Sequence, residues 1–365
     1  MTVEPAHPGV RKIKAYMTEA EDDGLPAPDL LLNSNESVFG PSPQAIAAAR
    51  DAAAKMERYS ENVDAILAPE IAAFFGLDAS KITVGNGSDD LLARLARIYL
   101  GPGTEMLRSE NGYPKAPNYA FANNAEVRSV PDQGFRPSVP HLIDGITDRT
   151  RMIYLANPEN PAGTYLGSDE LQALHAAMPA NALLVLDSAY DEYIDDPGRI
   201  PVDALVDGAR NIVMTRTFSK IFGLAGARVG WLYGPDEIVA DVRRVATTFP
   251  LSGVSLAAAR AALTDRDHFD MVYEANRDGR AWLSEQLSAL GLEIAPSQTN
   301  FVLAGFPDPG KSAAAADRHL RAAGIAVRRF PSPAFRNYLR ITLGRREELA
   351  RVVDVLKAFL GARSD

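Results

Sequence analysis

Several reactive side chains of this sequence stand just beyond short runs of β-branched and aliphatic residues. Asn160 follows the run 151–156, Asp187 follows 182–186, and Ser219 and Lys220 follow 211–215. Lys220 lies between an apolar run and the turn Ile221-Phe222-Gly223-Leu224, whereas Lys12, Lys14, Lys55 and Lys81 sit among polar neighbours. Apolar surroundings beside a cation favour a lysine that attacks or captures a carbonyl; pairing with an acid is the structural alternative. Arg228, with Thr217 and Ser219, offers a guanidinium fork and two hydroxyls, a set suited to phosphate. A second anion cradle stands where a strand-like run ends at Gly85 and Gly87 leads into a helix at Ser88 and Asp89. The free N–H groups and dipole of such a helix start attract an anion, although an ordinary cap by Ser88 or Asp89 would look the same. Asp187 closes the apolar run Leu183-Leu184-Val185-Leu186, where a buried carboxylate needs a cationic partner. A metal ion or an arginine would meet that need. One molecule would satisfy all of these groups together: a pyridinium nitrogen for Asp187, a phosphate for the arginine, hydroxyls and helix start, and an aldehyde for Lys220. That molecule is pyridoxal phosphate.

The elements that must position these side chains alternate regularly. Strand-like runs at 82–84, 151–156, 182–186 and 211–215 are separated by helical spacing over 89–99, 168–178 and 202–208. Strand–helix alternation predicts an α/β fold with a mostly parallel sheet flanked by helices, and such sheets bind ligands at the carboxyl edge of their strands. Beyond residue 245 long amphipathic helices (255–263 and 268–290) lead into strands at 299–304, 325–330 and 338–343, then a helix at 346–360. This part reads as a smaller α+β domain. The chain has 365 residues, 46% of them hydrophobic, no cysteine and five histidines, which removes disulfides and thiolate chemistry and suits two domains. A formal charge of −9 without a dense basic stripe argues against a nucleic-acid partner. No apolar run approaches the roughly 20 residues that span a bilayer, so no membrane partner is expected. The stretch 1–16 lacks the apolar core of a signal peptide, and a cytoplasmic location is the expectation.

With these residues in view, the chain resembles the fold-type I pyridoxal-phosphate aminotransferases, and within them the histidinol-phosphate aminotransferases. The resemblance runs from Leu32-Asn33-Ser34-Asn35-Glu36-Ser37 to Tyr338-Leu339-Arg340-Ile341-Thr342. Its most specific motif is Thr217-Phe218-Ser219-Lys220 with Arg228; Asn157-Pro158-Glu159-Asn160-Pro161 and Asp187-Ser188-Ala189-Tyr190 follow the family's order and spacing. It implies a large cofactor domain over 38–245 and a small domain formed by 1–37 and 246–365. Lys220 would capture the cofactor aldehyde and carry the proton, Asp187 would hold the ring nitrogen, and Tyr190 and Asn160 would bond the ring's phenolic oxygen. Gly87, Ser88, Asp89, Thr217, Ser219 and Arg228 would surround the phosphate, and Tyr113 would stack on the ring, with Tyr119 as its competitor. Tyr59 resembles a tyrosine that reaches the neighbouring subunit's phosphate, which implies a homodimer. Arg340 matches the arginine that binds a substrate carboxylate, Arg328 matches a contact to a substrate phosphate, and Asn35 and Glu36 fall in a substrate-facing motif. The implied activity is amino-group transfer, by a ping-pong mechanism, between an amine or amino acid such as histidinol phosphate and a 2-oxo acid such as 2-oxoglutarate.

Departures from the family pattern cluster near the substrate. Glu159 and Ala162 replace the usual Asn and Thr, Ser188 replaces the usual Glu, and Arg329 adds a charge beside Arg328. The same framework would serve an aromatic aminotransferase, or a decarboxylase of a phosphorylated amino acid. A PLP-sensing regulatory domain would call for a basic DNA-binding segment before residue 30, and none stands there. A remote reading comes from Gly305-Phe306-Pro307-Asp308-Pro309-Gly310-Lys311-Ser312, which matches a nucleotide-binding P-loop pattern. A P-loop cradles phosphate with successive backbone N–H groups, and Pro307 and Pro309 have none.

Overall fold

A computed structural model describes residues 6–13, 27–60, 62–197, 199–330 and 332–361. Residues 1–5 and 14–26 of the expected N-terminal arm, and with them both ends of the stretch 1–16, lie outside the described residues. A seven-stranded sheet organises the chain: β1 (Ile82–Gly85), β2 (Glu105–Ser109), β3 (Glu126–Val130), β4 (Thr150–Ala156), β5 (Leu183–Asp187), β6 (Ile212–Thr217) and β7 (Gly230–Tyr233), in the order β1-β7-β6-β5-β4-β2-β3. Strands β2 to β6 pair in parallel. β7 alone is reversed, antiparallel to both β1 and β6. Alternate side chains of the central strands enter two apolar layers, one holding Leu184, Leu186, Met214 and Trp231, the other Leu183, Val185, Val213 and Leu232. Burial on both faces explains why β5 reads as an unbroken apolar run rather than an alternation.

The reversal of β7 matters for function. Every other strand of the sheet ends at one edge, and β7 begins there. Its first residue, Gly230, pairs with Gly85 and with Thr217. A Cβ on Gly230 would stand 2.3 Å from the Ser88 nitrogen, so a glycine is required where β7 meets the start of the helix Ser88–Tyr99.

A second sheet joins β8 (Phe301–Gly305) and β9 (Tyr338–Thr342) in antiparallel fashion, with Glu293–Ile294 at its edge. Leu30–Leu31 pairs in parallel with Ile325–Ala326. A separate apolar cluster gathers Leu32, Leu283, Val302, Leu320, Ile341 and Leu356 around this part. The helix Gly253–Thr264 packs instead on the helices Pro43–Ala53 and Val63–Phe75, and its Leu256, Ala259 and Leu263 belong to the apolar cluster of the large sheet.

Local differences from the sequence reading have identifiable causes. The strand expected at 325–330 is two residues long, because after it only Arg328 bridges to Arg340. Asp187 is the last residue of β5 rather than the first residue beyond it. β2 and β3 escape apolar patterning: β2 buries Glu105 and Arg108, and β3 is a largely exposed edge. Lys311 holds no phosphate loop, since its Nζ donates to the carbonyl of Phe359 at 3.0 Å and lies over that residue's ring. Among the described residues no helix is long and apolar enough to cross a membrane.

Candidate active site

The carboxyl edge of the large sheet assembles most of the residues singled out above. At one end is an anion cup. Gly87, with φ 77°, caps the helix Ser88–Tyr99 without a side-chain hydrogen bond, so neither Ser88 nor Asp89 is the cap and the first N–H groups stay open. Arg228 also takes a left-handed conformation, φ 53°, and its Nη1 donates to Ser219 Oγ at 3.2 Å and to the carbonyl of Ala225 at 3.0 Å. The Thr217 hydroxyl lies 3.0 Å from that of Ser219 and accepts the Ser219 N–H at 3.1 Å. A Cβ on Gly87 would approach Arg228 Nη2 to 2.4 Å, so the glycine lets guanidinium and helix start face the same point. Asp89 contributes its position at the helix start, while its carboxylate is engaged by Lys115 at 3.3 Å and by the Tyr119 hydroxyl.

Asp187 lies buried at the end of β5. Tyr154, from the adjacent strand β4, donates to its Oδ2 at 2.7 Å, and Thr215 on β6 donates to Oδ1 at 3.4 Å. Burial pushes this carboxyl up to about 6, against the opposing pull of Tyr154, Thr215 and Lys220. A cation placed against it would reverse that shift. Lys220 Nζ stands 5.6 Å from the centroid of the Tyr190 ring, which puts the amine over the middle of the site.

Tyr190 carries the most telling geometry. Its hydroxyl oxygen accepts from Asn35 Nδ2 at 2.9 Å and from Asn160 Nδ2 at 3.4 Å. A hydroxyl that accepts twice has only its proton left to offer, so it donates to whatever oxygen enters the site. Asn160 is fixed in turn by Arg340, whose Nη1 donates to Asn160 Oδ1 at 2.6 Å and whose Nη2 donates to the carbonyl of Asn33 at 2.8 Å. Phe301 and Phe330 face the Arg340 guanidinium at 5.2 and 5.4 Å. Arg328 exchanges both backbone hydrogen bonds with Arg340, at 3.0 and 2.9 Å, so their side chains leave the ribbon on one face. Two like charges directly opposed are unfavourable unless an anion lies between them. Arg329 points elsewhere and faces Asp317 at 3.9 Å, so it does not add to this charged face.

Beside the ring position, Tyr119 is buried and its hydroxyl is committed to Asp89. Tyr113 packs half-buried against the same apolar layer, and its N–H donates to Glu159 Oε1 at 3.1 Å. Glu159 is 3% exposed, and burial raises its carboxyl to about 8 despite Arg108 and two backbone donors.

Two sequence candidates stand apart. Tyr59 is 79% exposed and stacks on Phe249 at 4.2 Å, on the surface. Glu36 is exposed and lines a separate small cleft with Tyr193 and Asn276. Conversely, sequence reasoning passed over Tyr154, Thr215 and Thr342. Tyr154 had a visible signal: a tyrosine inside a fully apolar buried strand needs a partner for its hydroxyl. Thr342 had none, because its contact is Asn35, whose side-chain oxygen accepts from it at 3.1 Å across most of the chain.

The residues present fit pyridoxal phosphate. The glycine-formed cup matches its phosphate, the buried Asp187 its ring nitrogen, the spare Tyr190 proton its phenolic oxygen, and Lys220 its aldehyde. Known proteins agree with this geometry. The family model for aminotransferase class I and II matches residues 27–356. A histidinol-phosphate aminotransferase of Paramagnetospirillum magneticum is 41% identical over 364 residues, 99% of this chain and 100% of that protein. One of Dinoroseobacter shibae is 41% identical, with 98% and 99% covered. The crystal structure of a histidinol-phosphate aminotransferase from Sinorhizobium meliloti in complex with pyridoxal-5'-phosphate has a TM-score of 0.90 at 27% identity and covers 98% of each chain. With its family model spanning nearly the whole sequence and relatives matching end to end, this chain belongs to the aminotransferase class I and II family.

Proposed function

We propose that this protein is a pyridoxal-phosphate-dependent aminotransferase that takes histidinol phosphate as amino donor and a 2-oxo acid such as 2-oxoglutarate as acceptor, by a ping-pong mechanism. The observation that carries the donor assignment is the opposed pair Arg328 and Arg340, two guanidinium groups on one face of a ribbon at the rim of the site. The donor's phosphate answers the first, and the carboxylate of the 2-oxo acid acceptor, a group histidinol phosphate lacks, answers the second. Full-length relatives named as histidinol-phosphate aminotransferases support the same reading.

When bound, the cofactor supplies an aldehyde and an electron-accepting ring. Lys220 Nζ would serve as general base and acid, taking the proton from the donor's Cα and holding it for return. Asp187 holds the proton on the ring nitrogen. Tyr190, fed by Asn35 and Asn160, donates to the phenolic oxygen, and Tyr113 covers the ring. Gly87, Ser88, Thr217, Ser219 and Arg228 hold the phosphate, with Asp89 contributing its backbone N–H. Arg340 orients the carboxylate of the acceptor while fixing Asn160. Glu36 has no place in this scheme.

The same reading includes a cytoplasmic homodimer in which the exposed Tyr59 reaches the other subunit's phosphate. Its exposure, and its stacking on an equally outward Phe249, support that role. It also includes a large domain over 38–245 and a small one built from 1–37 and 246–365; the separate apolar cluster around β8 and β9 supports that division from Leu283 onward, whereas the helix Gly253–Thr264 shares the apolar cluster of the large sheet.

A donor screen on the purified, cofactor-loaded protein tests the proposal. Histidinol phosphate should bleach the cofactor absorbance and leave a keto product, faster than phenylalanine, tyrosine or threonine phosphate. Release of carbon dioxide, or preference for an aromatic donor, would replace the assignment. Lys220→Ala should abolish the turnover; full activity in that variant would remove the mechanism.

A further inference from the structure

Glu159 occupies a buried position where the family pattern has Asn, and the scheme above gives it no task. Its Oε1 accepts two backbone N–H groups at once, from Tyr113 at 3.1 Å and from Asn160 at 2.9 Å. Those are the main chains of the residue covering the ring and of a residue bonding Tyr190. They lie far apart in sequence and emerge from β2 and β4, which are neighbours in the sheet. The other oxygen lies hard against the intervening chain: a Cβ on Gly112 would stand 2.9 Å from Glu159 Oε2 and 3.2 Å from Arg108 Nη2. Arg108, 5% exposed, therefore meets the carboxyl across Gly112, and its Nε and Nη2 have no hydrogen-bond partner.

We propose that Glu159 is a positioning residue: one buried side-chain oxygen clamps the Tyr113 and Asn160 main chains together and so fixes the two walls of the cofactor site relative to each other. An oxygen in this place accepts whether or not the carboxyl carries a proton, so the clamp depends on the acceptor rather than on the charge. Without it, two partly buried N–H groups lose their partner, and the 110–113 segment is free to move away from the 157–161 loop. The rival role is a structural counter-charge for Arg108. The two roles separate cleanly, because a glutamine keeps the acceptor and loses the charge, whereas a leucine of similar size loses both.

The inference rests on the cofactor reading given above, and the experiment separates their failures. Apoprotein of the wild type, Glu159→Gln and Glu159→Leu is titrated with pyridoxal phosphate by fluorescence quenching. The visible circular dichroism per bound cofactor and the unfolding temperature of each apoprotein are recorded alongside. Glu159→Leu should bind the cofactor about tenfold more weakly, as expected when two partly buried donors lose their acceptor, with reduced dichroism per bound molecule. Glu159→Gln should stay within about threefold of the wild type and keep the dichroism, since its amide oxygen supplies the same acceptor. Equal affinity and dichroism in Glu159→Leu would overturn the clamp. So would a Glu159→Gln variant as impaired as Glu159→Leu, which would assign the residue to Arg108. If Glu159→Leu does not fold, the Glu159→Gln result alone decides. Failure of the wild type to bind pyridoxal phosphate would instead remove the cofactor reading itself.

Discussion

Removing the charge of Asp187 should stabilise the apoprotein while crippling the holoenzyme. The carboxyl is enclosed at the end of β5, and burial raises it from 3.8 to about 6. Its folded value therefore lies above its unfolded one. The protonated carboxyl favours the folded state fully below about 3.8, and that contribution is lost as the pH rises through about 6. The displacement is about 2 pH units, and at about 1.4 kcal/mol per unit the ionised Asp187 costs the apoprotein about 3 kcal/mol at pH 7 to 8. The substitution Asp187→Asn keeps the shape and an acceptor for Tyr154 without the ionisation. Denaturant unfolding of both apoproteins at matched concentration, from pH 5 to 8, should show the variant gaining about 1.4 kcal/mol on the wild type as the pH rises, the rest of the cost being already present at pH 5. Glu159 and Asp132 are also raised by burial and tilt both curves alike, so the difference between them isolates Asp187. With the cofactor bound the order should invert, because a protonated ring nitrogen supplies the cation that the carboxylate lacks. Parallel pH profiles for the two apoproteins would refute the reasoning, since they would mean that Asp187 is not held in a desolvated place.

Other substitutions probe other parts of the site. Tyr154→Phe removes the hydroxyl that holds Asp187 down, so cofactor affinity should begin to fall at a higher pH on acidification than in the wild type; superimposed profiles would argue against the Tyr154 contact. Arg328→Gln should lower kcat/KM for histidinol phosphate by about 10- to 100-fold, the scale of a charge-assisted hydrogen bond, and change the value for an aromatic donor by less than about threefold. Equal losses would take the phosphate away from Arg328. Neither the wild type nor Lys311→Ala should bind ATP, and the substitution should lower stability by about 1 kcal/mol through the lost bond to the Phe359 carbonyl. ATP binding abolished by that substitution would revive the phosphate-loop reading.

Much of the site was legible because parallel strands convert sequence position into spatial position. Once 151–156, 182–186 and 211–215 are strands of one parallel sheet, Asn160, Asp187, Ser219 and Lys220 must meet at one edge. What stayed hidden depends on partners that no local pattern names. Arg328 and Arg329 look alike in sequence, yet the bridge to Arg340 aims one at the site's rim and leaves the other with Asp317. Tyr113 and Tyr119 also look alike, but the Tyr119 hydroxyl is taken by Asp89, at the start of the helix Ser88–Tyr99. Glu36 sits in a motif matched to the family, yet the chain turns at the buried Asn35, φ 56°, and leaves Glu36 exposed.

The sequence by itself determined which chemistry was available: one lysine in apolar surroundings, one carboxylate closing an apolar strand, and a glycine turn before a helix. These follow from residue type and local period, because burial and strand ends are written in short stretches of chain. Tertiary structure alone decided how those groups are aimed. The reversed β7 carries Arg228 to the anion cup, Arg340 reaches Asn160 from the second sheet, and Glu159 ties the Tyr113 segment to the Asn160 loop. Each of these is a pairing between distant segments, set by register and packing density rather than by any local preference, so it exists only once the chain has closed on itself.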